Sequence, residues 1–234
     1  MEEKEVDRVP ILNGKPVPVE LPLPDLARML ESPDMTDFSL ACRALSLKQT
    51  VESYDLLKYH LPHRDPYRHR CLLEALFAFP QSAELTEMAA EALESKREYL
   101  VTAALSGIIK GHITLPETQI LAALEQNLTT LSGWYFQVLF DFERTDKNLR
   151  AILSLYRKSS GEQRTALARQ IAYFANEENC RELSSLLIAD PCDQICLVGI
   201  RMAAEFGCAH RYPELEHHPD GHVRESYRKG TEKP

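Results

Sequence analysis

Lys147, Arg150, Ser154 and Arg157 follow one another at spacings of three and four residues, which places them on one face of a helix. Arg144, Lys158, Arg164 and Arg169 add positive charge nearby, on a chain whose formal net charge is −8. A basic strip of this kind suits an acidic peptide or a carboxylate-rich protein partner. The plainer alternative is an ordinary solvated face. Cys192 and Cys196, one helical turn apart, precede Cys208, His210, His217, His218 and His222, residue types that complete tetrahedral zinc shells. No Cys-x-x-Cys knuckle accompanies them, and free cysteine commonly packs as a small apolar side chain. No metal and no cofactor is assigned. His60, His63, Arg64, Arg68, His69 and Arg70 read as a solvated turn. The densest aromatic run is Trp134-Tyr135-Phe136 with Phe140 and Phe142. On an α-helix these rings point all around the axis, which favours a core position over an exposed binding platform.

The elements that would position these residues repeat. Asp65-Pro66 and Asp190-Pro191 both join an N-cap residue to a proline at the first helical position. They lie 125 residues apart, about four units of ~31 residues, a period typical of helical solenoids. Laid on each other, the two segments match Cys71 with Cys196, Leu72 with Leu197, Leu73 with Val198 and Ala78 with Ala203.

Apolar periodicity predicts six antiparallel helix pairs. They are Asp37–Leu45 with Lys48–Leu61, Pro66–Phe79 with Ser82–Glu94, and Arg97–Lys110 with Pro116–Asn127. Thr130–Phe142 with Asp146–Lys158, Glu162–Ala175 with Glu178–Ile188, and Pro191–Phe206 with a short Tyr212–His217 complete the set. Thr114 to Glu117 and Ser159 to Glu162 have the form of capping boxes. A last helix, Gly221–Lys229, offers Val223 and Tyr227 as anchors on an otherwise polar surface, as a terminal repeat requires.

Residues 1–23 differ. Prolines at 10, 16, 18 and 22 exclude a helix. Asn13-Gly14 is a tight-turn signal, so Val9–Leu12 and Lys15–Val19 form either a small hairpin or an extended arm along the first helices. The expected fold is therefore all-α, a right-handed α-α superhelix of about six helix pairs over residues 24–234, preceded by this arm.

Composition excludes several function classes. At 44% hydrophobic and 26% charged the chain is neither disordered nor membrane-embedded. Its acidic balance disfavours nucleic acid phosphates. The start MEEKEVDRVP lacks the basic and apolar blocks of a secretory signal, and six scattered cysteines suit a reducing cytoplasm.

The segment His218-Pro219-Asp220-Gly221-His222-Val223-Arg224 resembles the D-P-D-x-x-V-R helix start of HEAT repeats, of the short-repeat kind found in bilin-lyase-like families, with His in place of the first Asp. The resemblance implies stacked helix pairs whose second helices line a concave surface that receives a partner, which would put the α-helical strip Lys147/Arg150/Ser154/Arg157 in the groove. Fold alone assigns no chemistry. Di-iron hydroxylases of this architecture need His-Glu dipeptides, and the sequence has none. A HEAT-like alkylpurine DNA glycosylase needs a basic channel, aromatic side chains and a carboxylate. Trp134 and Asp141 share a face if this stretch is α-helical, but Trp134 is the only tryptophan and acids interrupt the basic strip. The expected function is a non-catalytic scaffold for a protein or acidic-peptide partner, with the glycosylase type or a structural subunit of a larger assembly as alternatives.

Overall fold

The computed structural model describes residues 10–12 and 14–232. Of the two expectations for the N-terminal arm, the hairpin forms. Strands β1 (Ile11–Leu12) and β2 (Lys15–Pro16) pair antiparallel, with Ile11 opposite Pro16 and Leu12 opposite Lys15. Gly14 turns the chain at φ 76°, a left-handed conformation that glycine adopts without a Cβ clash. Val9 lies outside the described residues. The second strand stops at Pro16, well short of Val19, since prolines at 16 and 18 donate nothing to a ladder.

Helices follow without interruption by further strands among the described residues. They are α1 (Leu23–Leu30), α2 (Met35–Lys48), α3 (Val51–Tyr59), α4 (Pro66–Leu76), α5 (Ala83–Glu94), α6 (Glu98–Ile109) and α7 (Glu117–Gln126). A 3₁₀ segment, Gly133–Asp141, precedes α8 (Asp146–Lys158), α9 (Gly161–Tyr173), α10 (Cys180–Ile188) and α11 (Asp193–Glu205). Two short 3₁₀ turns, Ala209–Arg211 and Pro213–His217, lead to α12 (Gly221–Thr231). Asp34, Thr50, Asp65, Ser82, Thr145 and Asp220 each accept a first-turn amide. Those bonds satisfy donors a helix start leaves orphaned and fix where the helices begin.

The chain divides into two compact units after Ala123. In the first, α2 packs on α4 and α4 on α6; in the second, α9 packs on the 3₁₀ segment, α11 on α9 and α12 on α11. Each unit thus contains one unbroken row of helices in mutual contact. The remaining helices lie beside that row, and α1, α5, α8 and α10 pack most extensively on the row helix that follows them, α2, α6, α9 and α11. These tight couples are therefore shifted by one helix from the pairing expected from sequence, although α3 also packs on α2, its expected partner. Loop length carries part of this phase: two to four residues join each of these couples, whereas six or seven follow α4, α6 and α9.

Two helix starts also differ from expectation. Asp65 caps α4 through the amides of Tyr67 and Arg68, but its counterpart Asp190 does not cap α11, whose N-cap is Cys192. The Asp190 carboxylate is instead buried, accepting from the Tyr156 hydroxyl at 2.5 Å, Arg164 Nε at 2.7 Å and the Cys192 amide at 3.0 Å. The box expected at Ser159 to Glu162 does not close either. Ser160 is the N-cap without a side-chain bond, and Glu162 Oε1 accepts the amide of Gly133 at 2.9 Å, one repeat earlier. At the C-terminal end the expectation holds. Val223 and Tyr227 are buried and anchor α12, packed with Cys196, Ala203 and Tyr212.

Candidate functional site

The stretch expected as an α-helix over Thr130–Phe142 is wound as a nine-residue 3₁₀ helix. Runs beyond three or four residues are uncommon. Bulky aromatic residues and Val138 favour an α-helix weakly, and the amide of Gly133 is held by Glu162 from the next repeat. At three residues per turn, side chains three apart eclipse one another. Phe136, Leu139 and Phe142 are buried, as are Tyr135 and Val138, while Trp134, Gln137 and Phe140 are exposed. This corrects the all-round placement of the rings. It also separates Trp134 from Asp141, because two turns on from Trp134 is now Phe140. The aromatic–carboxylate pair of the glycosylase reading has no shared face.

The exposed edge borders a groove of about 720 Å³ between the 3₁₀ segment, α9 and the start of α11. Trp134 is 41% and Phe140 39% exposed. The Trp134 ring meets Tyr135 edge-on at 5.1 Å, and Phe140 meets Tyr173 of α9 the same way at 5.1 Å. Arg144 lies 3.8 Å above the Tyr173 ring, extending the edge by a cation–π contact. Across the groove α9 presents Glu162, Arg169 and Gln170, so its charges cancel. Gln170 is 2% exposed, and its side-chain carbonyl Oε1 has no hydrogen-bond partner among the described residues. An orphaned buried acceptor costs about 1–3 kcal/mol.

The basic strip lies elsewhere. Lys147, Arg150 and Arg157 are exposed and Ser154 half-buried on α8, beside the contiguous row rather than on it, and none of them borders the groove. Arg150 Nε donates to the Asp146 carbonyl of its own helix at 3.3 Å. Arg164 is not part of an open strip, since it is paired with Asp190 and stacked 4.2 Å from the Tyr156 ring centre.

In the other sequence clusters cysteines go mostly into packing, while His210, His217 and His222 are exposed. Cys196 and Cys208 are buried with Cys180, Ala203 and Tyr212, Cys192 borders the groove, and all six cysteines are free thiols. Among the described residues no three His, Cys, Asp or Glu side chains converge as a metal shell would require. Arg68 lies 4.7 Å over the Phe38 ring and donates to the Ser32 and Pro33 carbonyls at 2.7 and 3.0 Å. His63 Nδ1 accepts the Asp65 amide at 3.0 Å.

Gln137 and Gln170 carry a signal in the sequence that helical periodicity alone does not raise. Gln170 interrupts the apolar stripe Leu167, Ile171 and Phe174, and Gln137 sits midway between Trp134 and Phe140.

No protein-family model matches the chain, and no curated protein matches it. Solved structures similar to it include a designed armadillo repeat protein, YIII(Dq)4CqI, at 16% identity, covering 90% of this chain and 99% of that one, with a TM-score of 0.32. Computationally designed armadillo repeat proteins for modular peptide recognition match at 16% identity, 90% and 99% coverage and a TM-score of 0.33. An engineered protein matches at 14% identity, 89% and 94% coverage and a TM-score of 0.32. Superposition at this level leaves the fold assignment to the packing described above: an all-α helical-repeat protein.

Proposed function

We propose that this chain is a non-catalytic, HEAT-like helical-repeat scaffold that holds an extended segment of a protein partner against the 3₁₀–α9–α11 row. The observation that carries the reading is the exposed row Trp134/Gln137/Phe140 along the edge of the groove. Large aromatic side chains supply most of the energy of protein recognition per residue, and a row of them along a groove suits the side chains of an extended segment. The groove's balanced charge favours an apolar or mixed segment over a strongly charged one. A structural-subunit role would call for a broad apolar face. In residues 124–234 the exposed large apolar side chains among the described residues are Trp134, Phe140 and Tyr173, gathered on one groove edge.

The strip Lys147/Arg150/Ser154/Arg157 supports a second reading, an acidic peptide along α8, because Lys147 and Arg157 meet no carboxylate among the described residues. A cytoplasmic setting belongs to the same proposal and is supported by the free thiols. No described helix is long and apolar enough to cross a membrane.

Panning a random-peptide library on the full chain separates these readings. Peptides enriched on the wild type should lose about tenfold to a hundredfold in affinity on a Trp134→Ala/Phe140→Ala variant whose thermal unfolding is unchanged. Peptides that ignore this variant and lose binding on charge reversal at Lys147, Arg150 and Arg157 would overturn the groove in favour of α8.

A further inference from the structure

A second groove, of about 730 Å³, opens within residues 10–123 between the hairpin, α2, α4 and the turn after α6. We propose that it binds an acidic segment of a partner protein, with carboxylates against Arg43, Lys110 and His112 and an apolar side chain between Ile11 and Tyr67. This site is independent of the aromatic groove: it lies in the other unit and uses opposite chemistry.

Charge makes the first part of the case. The acid on the groove wall is Glu74, and Arg70 already neutralises it at 2.8 Å. Arg43 and Lys110 are exposed and meet no carboxylate among the described residues. His112 is half-buried beside them, and burial first, then the fields of Lys110 and Arg43, holds its pKa below the ordinary histidine value. Arg43 and Lys110 thus make a local positive field, felt by His112, on a chain of net charge −8. Such a field attracts and orients carboxylates.

Exposed apolar surface makes the second part. Ile11 is 71% and Tyr67 67% exposed, and both border this groove. A free inorganic anion would leave them in water. An acidic peptide carrying an aliphatic residue covers them while its carboxylates reach the cations. The groove's volume is within the range of sites that enclose a few side chains. Ser39 and Ser46 line the wall but bond their own helix, to the Met35 and Arg43 carbonyls at 2.8 Å each, so they frame the pocket and leave recognition to the cations.

The test uses the full chain and a short fluorescent peptide alternating glutamate with leucine. Its glutamine–leucine counterpart, inorganic phosphate and a duplex oligonucleotide serve as competitors. The expected result is saturable binding of the glutamate peptide, with the glutamine peptide and the Arg43→Glu/Lys110→Glu variant each weaker by about tenfold or more. A milder Arg43→Gln variant falls between, and the Trp134→Ala/Phe140→Ala variant binds as wild type. In NMR titrations the His112 ring pKa rises when peptide is bound, because nearby carboxylates favour the imidazolium; a peptide bound elsewhere leaves it unmoved. The proposal is overturned if the glutamine peptide binds equally well, if Arg43→Glu/Lys110→Glu binds as wild type with a native amide spectrum, or if His112 does not shift. Displacement by phosphate at concentrations equal to the peptide, or by the oligonucleotide in preference to it, would also overturn it.

Discussion

Asp190 sets the terms for this fold at the scale of single residues. Its side chain is 2% exposed and shared between Tyr156 and Arg164. Burial alone would raise its pKa, but the Tyr156 hydroxyl, the Cys192 amide and Arg164 outweigh burial and hold it below the ordinary carboxylate value. A depressed carboxylate pKa means that the folded state releases the proton more readily than the unfolded chain. Its stabilisation is therefore complete above the ordinary value, about pH 4, and is lost as pH falls through the folded value. Asp190→Asn should cost about 2 kcal/mol in urea unfolding near neutral pH, less than a fully buried pair because Arg164 is 30% exposed. That difference from wild type should shrink as the pH is taken below about 4. A constant difference across that range would mean that the charge of Asp190 contributes nothing. Sequence alone points to Asp190 as a helix cap, which it is not. Asp-Pro reads as a helix start in both copies, and only the partners Tyr156 and Arg164, supplied from α8 and α9, convert the second copy into a buried acceptor.

Among whole elements, the helix positions were legible and their pairing phase only in part. Leucine and alanine periodicity located α2 to α11 to within a few residues, and Val223 with Tyr227 marked the closing helix. The 3₁₀ segment escaped because its apolar residues at 135, 136, 138, 139 and 142 fit an α stripe nearly as well. What distinguishes the two windings is whether Phe140 or Asp141 joins Trp134 on the outer edge, and that depends on a contact from Glu162 to Gly133 that no local pattern contains. Close approach of elements gives a second test. A Cβ on Gly199 of α11 would lie 2.9 Å from the Ile188 amide nitrogen and from its Cγ1, and 3.0 Å from Leu187 Cβ. Gly199→Ala gains about 1 kcal/mol of helix propensity, but prising α10 from α11 costs about 1–3 kcal/mol. The expected outcome is a lower Tm, measured by circular dichroism. An unchanged or raised Tm would show that the α10–α11 contact yields easily.

For the molecule as a whole, repetition of one helical unit was readable from the Asp-Pro spacing, whereas the grooves were not. Both lie on the rows of helices in mutual contact, and the basic strip on α8 lies beside its row, on a face next to the groove's helices. The two units also present different chemistry. One groove is aromatic and balanced in charge; the other is cationic with apolar rims. A scaffold with such surfaces would distinguish segments by composition, which is how helical-repeat surfaces achieve selectivity without catalysis. Trp134 is the sole tryptophan and stands on the edge of the aromatic groove, so its own emission reports occupancy there. Titrating the full chain with a peptide selected on it should shift Trp134 emission to the blue and shield it from iodide quenching. Both changes should saturate at the midpoint found by calorimetry. Binding that saturates by calorimetry while Trp134 emission and quenching stay as in the free protein would contradict the account.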